Sequence, residues 1–378
     1  MVPSPVARWL PPLLFLLVAA PLSGCATAGA LDSASTPLPR DLVPDDAWAD
    51  ARDALAQRSL AVDSALVLVD GSLRGEWHGD RGGPRTLHDL RSATKSITSL
   101  LVGAAIDRGL IDSVRSPVAP WFPETHPHPS WSGRPAMTIE DLLTMRSGLD
   151  CDDWAPRSPG NEERMYRRRS WLGFALSLPA VEDPGQRFSY CTAGVVLLGE
   201  IVARAGGAPL PELAKEWLFE PLGIADARWE PAGDEGTDAG GHLRLSVESL
   251  AKIGQLTLQG GEWEGRPVVS AGWIAASTTP HTWVDSPDGG PQYGYLWWLE
   301  PVEDGVVRSW QARGNGGQLL IVVPPVGAVV ALTGRSFNRG SVRLRLFQLT
   351  SRHLIPLAAS LRGGGEAADE PGRGEPTE

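Results

Sequence analysis

Ser92 and Lys95 stand three residues apart in "LRSATKSITSLLVGAAIDRG", residues 90–109. Lysine is scarce: of 34 basic residues only Lys95, Lys215 and Lys252 are lysines. A serine hydroxyl is a poor nucleophile until a base takes its proton. A lysine can be that base if burial or nearby positive potential lowers its pKa. Residues i and i+3 share one helix face, so the spacing allows the contact. A helix N-terminus adds positive potential, which disfavours a second cation and favours oxyanions. The serine's own N–H is then half of an oxyanion hole. The competing reading is an ordinary helix start, where Ser and Lys are both common, and spacing alone leaves it open. No Gly-x-Ser-x-Gly elbow is present, and none of the seven histidines sits in a triad motif.

The elements that must position this pair are legible from periodicity. "SALVLVDGSLRGEWHGD" alternates around Asp70-Gly71 and predicts a two-residue hairpin. In the Ser92 helix, Ile97, Leu100, Leu101, Ala104 and Ala105 recur at helical spacing, with Gly109 at the C-terminal stop. "MTIEDLLTMRSGL" opens with a capping signature, Thr138 to Asp141. "GVVLLGEIVARAGG" (194–207) and "SVESLAKIGQLTLQGG" (246–261) predict two more helices. The last third holds short β-rich runs, "YGYLWWLE", "VVRSWQAR", "QLLIVVPP" and "GAVVALTG", before a terminal helix near 341–358. Strands, a helical insert at about 115–240, more strands and a helix imply an α+β fold. Its antiparallel sheet is split in sequence and packed with helices. The 15 tryptophans suit a core and a groove wall, or a carbohydrate surface.

The first residues read as an address. Arg8 precedes "WLPPLLFLLVAAPLSGC", too short for a comfortable span and of secretory proportions. "LSGC", ending at Cys25, resembles the bacterial lipoprotein signal box, which implies a signal peptide over 1–24 and a lipid on Cys25; a plain signal peptide is the alternative. Residues 25–45 suit a tether, 46–360 the folded region, and 361–378 a disordered tail. Net charge of −11 argues against nucleic acid, and "RMYRRRS" (164–170) reads as a solvated face. His126 and His128 lie in a Pro-rich stretch without metal-ligand spacing, so no metal is expected. Cys151 and Cys191 remain as an even pair, which in an exported protein invites a disulfide. Cys191 as a second nucleophile would lack a base.

Six segments in order resemble the penicillin-recognising serine hydrolases: "RSATKS", "MTIEDLLTMRSGL", "PGQRFSYCTAGVVLLG", "GGHLRLSVESLAKIGQLTLQGG", "YGYLWW" and "GNGGQ". That group includes class C β-lactamases, serine DD-peptidases, family VIII-type esterases and 6-aminohexanoate-oligomer hydrolases. The resemblance spans roughly 60–340 and implies a five-stranded antiparallel sheet with flanking helices beside a mostly helical region, the site between them. It implies Ser92 as acylated nucleophile, Lys95 as its base and Tyr190 as proton relay. It places Asn315, Gly316 and Gly317 on the strand edging the cleft, and gives Gln318 the second oxyanion N–H. It also implies that a Cys151–Cys191 bridge would pin the loop after Leu149 against the Tyr190 segment.

Two departures bear on the substrate. The second motif usually reads Tyr-x-Asn; here it reads Tyr190-Cys191-Thr192, and a threonine hydroxyl reaches less far than an amide. The third motif often begins with Lys or His; Asn315 lacks the charge that would hold a substrate carboxylate. Both point to an esterase or amidase acting on a small molecule, without cofactor, rather than to a β-lactamase or DD-peptidase. A non-catalytic cell-wall-binding lipoprotein on the same fold is the reading from another class. The leader places the protein in the bacterial envelope, with the outer membrane preferred because Ala26 follows Cys25.

Overall fold

Asp70 and Gly71 both take positive φ, +47° and +83°, which is the turn a tight hairpin requires. They join β1 (Val62–Val69) to β2 (Ser72–His78). In this computed structural model residues 35–123, 127–234, 236–284, 290–300, 302–303 and 306–366 are described. Cys25, the leader, His126 and the chain after 366 lie outside them.

Six later strands complete the main sheet: β3 (Thr282–Trp283), β4 (Gln292–Tyr293), β5 (Trp298–Leu299), β6 (Trp310–Gly314), β7 (Gln318–Val323) and β8 (Ala328–Gly334). Their order is β2-β1-β8-β7-β6-β5-β4-β3, every pair antiparallel. The fold class is the expected one. The five long strands, β2, β1, β8, β7 and β6, are extended at the β6 edge by three two-residue strands, so the sheet has eight rather than five.

Both sheet faces are covered, which is why the middles of β1, β7 and β8 (65–69, 319–323 and 328–332) are continuous apolar runs. Leu66 and Leu68 face a core shared with α2 (Thr94–Asp107) and α8 (Val247–Leu258). Ala65, Val67 and Val69 face a second core with Trp48, Leu346 and Leu354, from α1 (Ala49–Leu55) and its preceding turn, α10 (Gly340–Leu349) and the π-turn that follows it. Strand period two sends neighbours to opposite cores. Each buried leucine contributes about 2 kcal/mol, so a one-residue slip of register is heavily penalised.

The central section supplies α3 (Ile139–Leu143), α4 (Glu162–Met165), α5 (Trp171–Leu176), α6 (Thr192–Gly206) and α7 (Leu210–Ala214), and α9 (Ala271–Ser277) precedes β3. The Thr138–Asp141 capping box closes reciprocally: Asp141 N donates to Thr138 Oγ1 at 3.3 Å and Thr138 N to Asp141 Oδ2 at 2.8 Å. Two boundaries differ from expectation. Residues 35–45, expected within the tether, are packed: Leu38 is buried, Thr36 N bonds Gly223 O, and Asp41 N bonds Leu73 O at 3.0 Å. At the other end, α11 (Ile355–Glu366) carries on through residue 361, where the tail was expected to start. Its Arg362 reaches back to Pro325 O at 3.0 Å.

Candidate active site

Ser92 lies in a 3-10 turn, Arg91–Ala93, that runs directly into α2. Arg91, just before it, has φ of +50°. A non-glycine residue there costs roughly 1–2 kcal/mol, and Asp89 holds it, accepting from Arg91 N at 2.9 Å and pairing with the guanidinium at 3.3 Å. Gly314 at the end of β6 backs onto the same turn. A Cβ there would lie 2.1 Å from Leu90 O, so only glycine lets the strand approach.

α2 is buried nearly all round and is fixed by polar side chains as well as apolar ones. Ser96 Oγ donates to Leu296 O and Thr98 Oγ1 to Ala239 O, both at 2.7 Å. Lys95 is 1% exposed. Its Nζ donates to Gly240 O at 2.6 Å and to Ser92 Oγ at 3.2 Å. The Tyr190 ring centroid is 5.2 Å from the same Nζ. Ser92, Lys95 and Tyr190 thus meet at the start of α2 and the entry to α6.

The electrostatics differ from the expectation of a lysine made basic by a lowered pKa. Burial does press the Lys95 pKa down, but Tyr190, Glu162, Asp153 and Asp238 outweigh it and hold the pKa above the ordinary lysine value. Burial pushes the Tyr190 phenol up, and the pull of Lys95 and of a hydrogen bond with Ser92 does not reverse that. The resting site therefore carries an ammonium and a neutral phenol.

The acidic groups come from a loop that sequence reasoning did not single out. Asp153 N donates to Tyr190 O at 2.8 Å. Asp153 Oδ2 accepts from both Thr192 N and Thr192 Oγ1, each at 2.7 Å. Glu162 Oε2 lies 3.0 Å from the same hydroxyl and accepts from Tyr166 OH at 3.1 Å. Burial and the charge of Glu162 push the Asp153 carboxyl up to about 7, against the pull of Lys95 and Thr192. Asp238 accepts from Gly240 N at 3.2 Å and from His242 Nδ1 at 2.5 Å, and so orders the loop whose carbonyl holds Lys95. The cluster "DCDDW" beside Cys151 was the available signal in the sequence; nothing in it said which acid faces Lys95.

Cys151 and Cys191 are bonded, with Cα atoms 5.4 Å apart, so the acidic loop is stapled to the Tyr190 segment. Trp154, from the same loop, lies flat on Tyr190 with centroids 5.3 Å apart and planes 8° apart. Trp298 stands beside both, 6.3 and 5.9 Å away, and Phe188 is 6.0 Å from Trp154. Half of the Trp154 side chain remains open to solvent, making an aromatic rim.

The third motif sits on the turn from β6 to β7. Gly316 and Gly317 have φ of +98° and +96°, which requires glycine. Gly316 O accepts from Ser336 N at 2.9 Å. Asn315 is placed differently from expectation: its amide donates to Asn338 Oδ1 at 2.6 Å and accepts from Asn338 N at 2.8 Å. It clasps a neighbouring loop instead of offering a free group to the cleft. The Gln318 side chain is likewise engaged, donating to Gly334 O at 2.6 Å, which leaves its backbone as the part that could serve substrate. Arg313 on β6 pairs with Glu300 at 2.6 Å and stacks on Trp298, so its charge is matched.

A family model described as Beta-lactamase matches residues 49–350. The chain is 28% identical to a 6-aminohexanoate-dimer hydrolase of Paenarthrobacter ureafaciens over 308 residues, covering 75% of this chain and 76% of that one. It is 31% identical to the esterase EstB of Burkholderia gladioli over 226 residues, 55% of each chain. The crystal structure of a family VIII carboxylesterase superposes with a TM-score of 0.62 at 18% identity, covering 82% of this chain and 98% of that one. The match thus spans three quarters of the first relative and about half of the second.

Proposed function

This chain belongs to the beta-lactamase family, and from that premise we propose that it is a serine hydrolase cleaving an ester or amide through an acyl-enzyme on Ser92. The observation that carries the reading is the buried contact of Lys95 Nζ with Ser92 Oγ at 3.2 Å, beside Tyr190. Once Lys95 has lost its proton it accepts that of Ser92, whose oxygen attacks the substrate carbonyl. The N–H groups of Ser92 and Gln318 take the oxyanion. Tyr190 passes a proton to the leaving group, and water then cleaves the acyl-enzyme. No step calls for a cofactor.

The substrate reading, an esterase or amidase acting on a small uncharged acyl group, is supported by three features. The relatives bear the names hydrolase and esterase. Asn315 is committed to Asn338, and Arg313 to Glu300. The rim at Trp154 and Trp298 is aromatic. A carboxylated β-lactam or a peptide terminus has no unpaired cation to meet among these groups. The test is a fluorophosphonate probe with mass spectrometry of the labelled peptide. It should modify Ser92, and labelling that persists in Ser92→Ala would sink the mechanism. Turnover of p-nitrophenyl esters against nitrocefin decides the substrate class.

The leader over 1–24, with "LSGC" ending at Cys25, supports export and lipid anchoring. The residues after Cys25 would then tether the hydrolase to a membrane, the outer one preferred. Membrane fractionation of wild type and Cys25→Ala tests this; protein that stays membrane-bound without Cys25 would refute it.

A further inference from the structure

Thr192 Oγ1 carries one hydrogen and lies within hydrogen-bond distance of two carboxyl oxygens, Asp153 Oδ2 at 2.7 Å and Glu162 Oε2 at 3.0 Å. Among the described residues three other donors reach these carboxyls. Thr192 N serves Asp153 Oδ2 at 2.7 Å, Glu162 N serves Asp153 Oδ1 at 2.9 Å, and Tyr166 OH serves Glu162 Oε2 at 3.1 Å. With both carboxyls ionised, one of the two contacts to Thr192 would set lone pair against lone pair. Thr192 is fully buried, so water does not relieve that contact. One added proton turns both contacts into O–H···O bonds: one carboxyl donates to the hydroxyl, and the hydroxyl donates to the other.

We propose that Asp153 and Glu162 share a single proton across the Thr192 hydroxyl, and that this pair sets the charge facing Lys95 and hence the ease with which the lysine becomes a base. Thr192 in place of the usual asparagine is part of the device, because a hydroxyl both donates and accepts at one atom and so links two acids. Asp153 and Glu162 are positioning residues: they act on Lys95 through the field and touch no reacting atom in this structure. The charged and titratable groups around the pair are Lys95 from α2, Tyr190 ahead of α6, Tyr166 after α4, and Asp238 with His242 from the Gly240 loop. Holding one proton, the pair presents a charge of −1 to Lys95; losing it near neutrality, where burial and Glu162 place the Asp153 carboxyl, presents −2.

The inference rests on Lys95 being the base, and its test is separable from that reading. In protein labelled with 13C at the aspartate carboxyl, one signal should titrate near neutrality. Assigned by its loss in Asp153→Asn, that transition should move to lower pH in Glu162→Gln, which removes the neighbouring acid while burial remains. Thr192→Val should alter it; Thr192→Ser should restore it. In kinetics on a p-nitrophenyl ester, either single amide variant keeps one negative charge and leaves the rising limb of kcat/KM close to wild type below neutrality. The double variant Asp153→Asn/Glu162→Gln removes the charge, lowers the Lys95 pKa, and should move the limb down by roughly one pH unit, a tenfold gain at fixed pH on the limb. An Asp153 carboxyl that titrates in the acid range in wild type, or a limb unmoved in the double variant, overturns the proposal. Hydrolysis surviving in Ser92→Ala overturns the mechanism instead, and leaves the carboxyl titration standing.

Discussion

Lys95 Nζ is 2.6 Å from the carbonyl oxygen of Gly240, closer than its 3.2 Å to Ser92 Oγ. A main-chain acceptor thus fixes the direction in which the lysine points. Gly240 is itself fitted to the role: a Cβ there would lie 2.5 Å from Thr192 Cγ2 and 3.5 Å from Lys95 Nζ. Gly240→Ala should therefore push the loop away, at a cost of about 1–3 kcal/mol, and lower kcat by tenfold or more with little change in KM. Steady-state kinetics on a small ester check this; an unchanged kcat would mean that the loop is not what aims the lysine.

Activity should rise with pH beyond neutrality. The neutral amine is the base, and Tyr190, Glu162, Asp153 and Asp238 together outweigh burial and keep the Lys95 pKa above that of a free lysine. As pH climbs toward that value the fraction of base grows, tenfold per unit, and kcat/KM with it. Lys95→Ala should remove the limb and at least a thousandfold of rate, judged by the usual worth of a base that activates a nucleophile. A profile flat from pH 6 to 9 would contradict the assigned charge state.

Reduction should loosen the site before it unfolds the protein. The Cys151–Cys191 bond closes a loop across a separation of 40 residues, which in the chain-entropy model is worth about 3–4 kcal/mol. It also staples Asp153 and Trp154 to the Tyr190 segment. Cys151→Ser/Cys191→Ser should lower the melting temperature by several degrees and reduce kcat. Calorimetry with and without reductant measures the first effect, and an unchanged kcat in the folded variant would deny the bridge a part in the site.

The aromatic rim should read the substrate's apolar body. Trp154 stacks on Tyr190 yet stays half exposed, which leaves part of the indole for a ligand. Trp154→Ala should raise KM for aromatic or long-chain esters about tenfold, the worth of a lost stacking contact at about 1 kcal/mol plus buried area. Acetate esters should be nearly unaffected. Equal losses on both substrates would place the tryptophan in support of Tyr190 alone.

Asn315→Ala should act on stability and not on substrate charge. The amide makes two hydrogen bonds to Asn338, each worth about 1 kcal/mol. A small drop in melting temperature with an unchanged ratio of neutral to carboxylated ester turnover is the expected result. A changed ratio would return Asn315 to the substrate site.

What the chain determined locally is what needed only neighbours in sequence. Ser92 and Lys95 share a face because three residues make nearly one helical turn. Asp70-Gly71 makes a hairpin because both residues tolerate positive φ. Thr138 and Asp141 cap α3 because their side chains reach each other's backbone. The order of the motifs then carried the family and the fold class. What tertiary structure alone decided is the charge around the base. Asp153, Glu162 and Asp238 lie 58, 67 and 143 residues beyond Lys95, and no local pattern says that they converge on it. Burial and convergence oppose each other in setting a pKa, so the expectation of a depressed lysine reversed once the acids were placed. The same holds for the other lysine of note: Lys252 is buried on α8 and spends its charge on the carbonyls of Leu222 and Gly223, at 3.1 and 3.0 Å. Scarcity marked both lysines alike; only the fold distinguishes the one that faces a serine from the one that caps a chain.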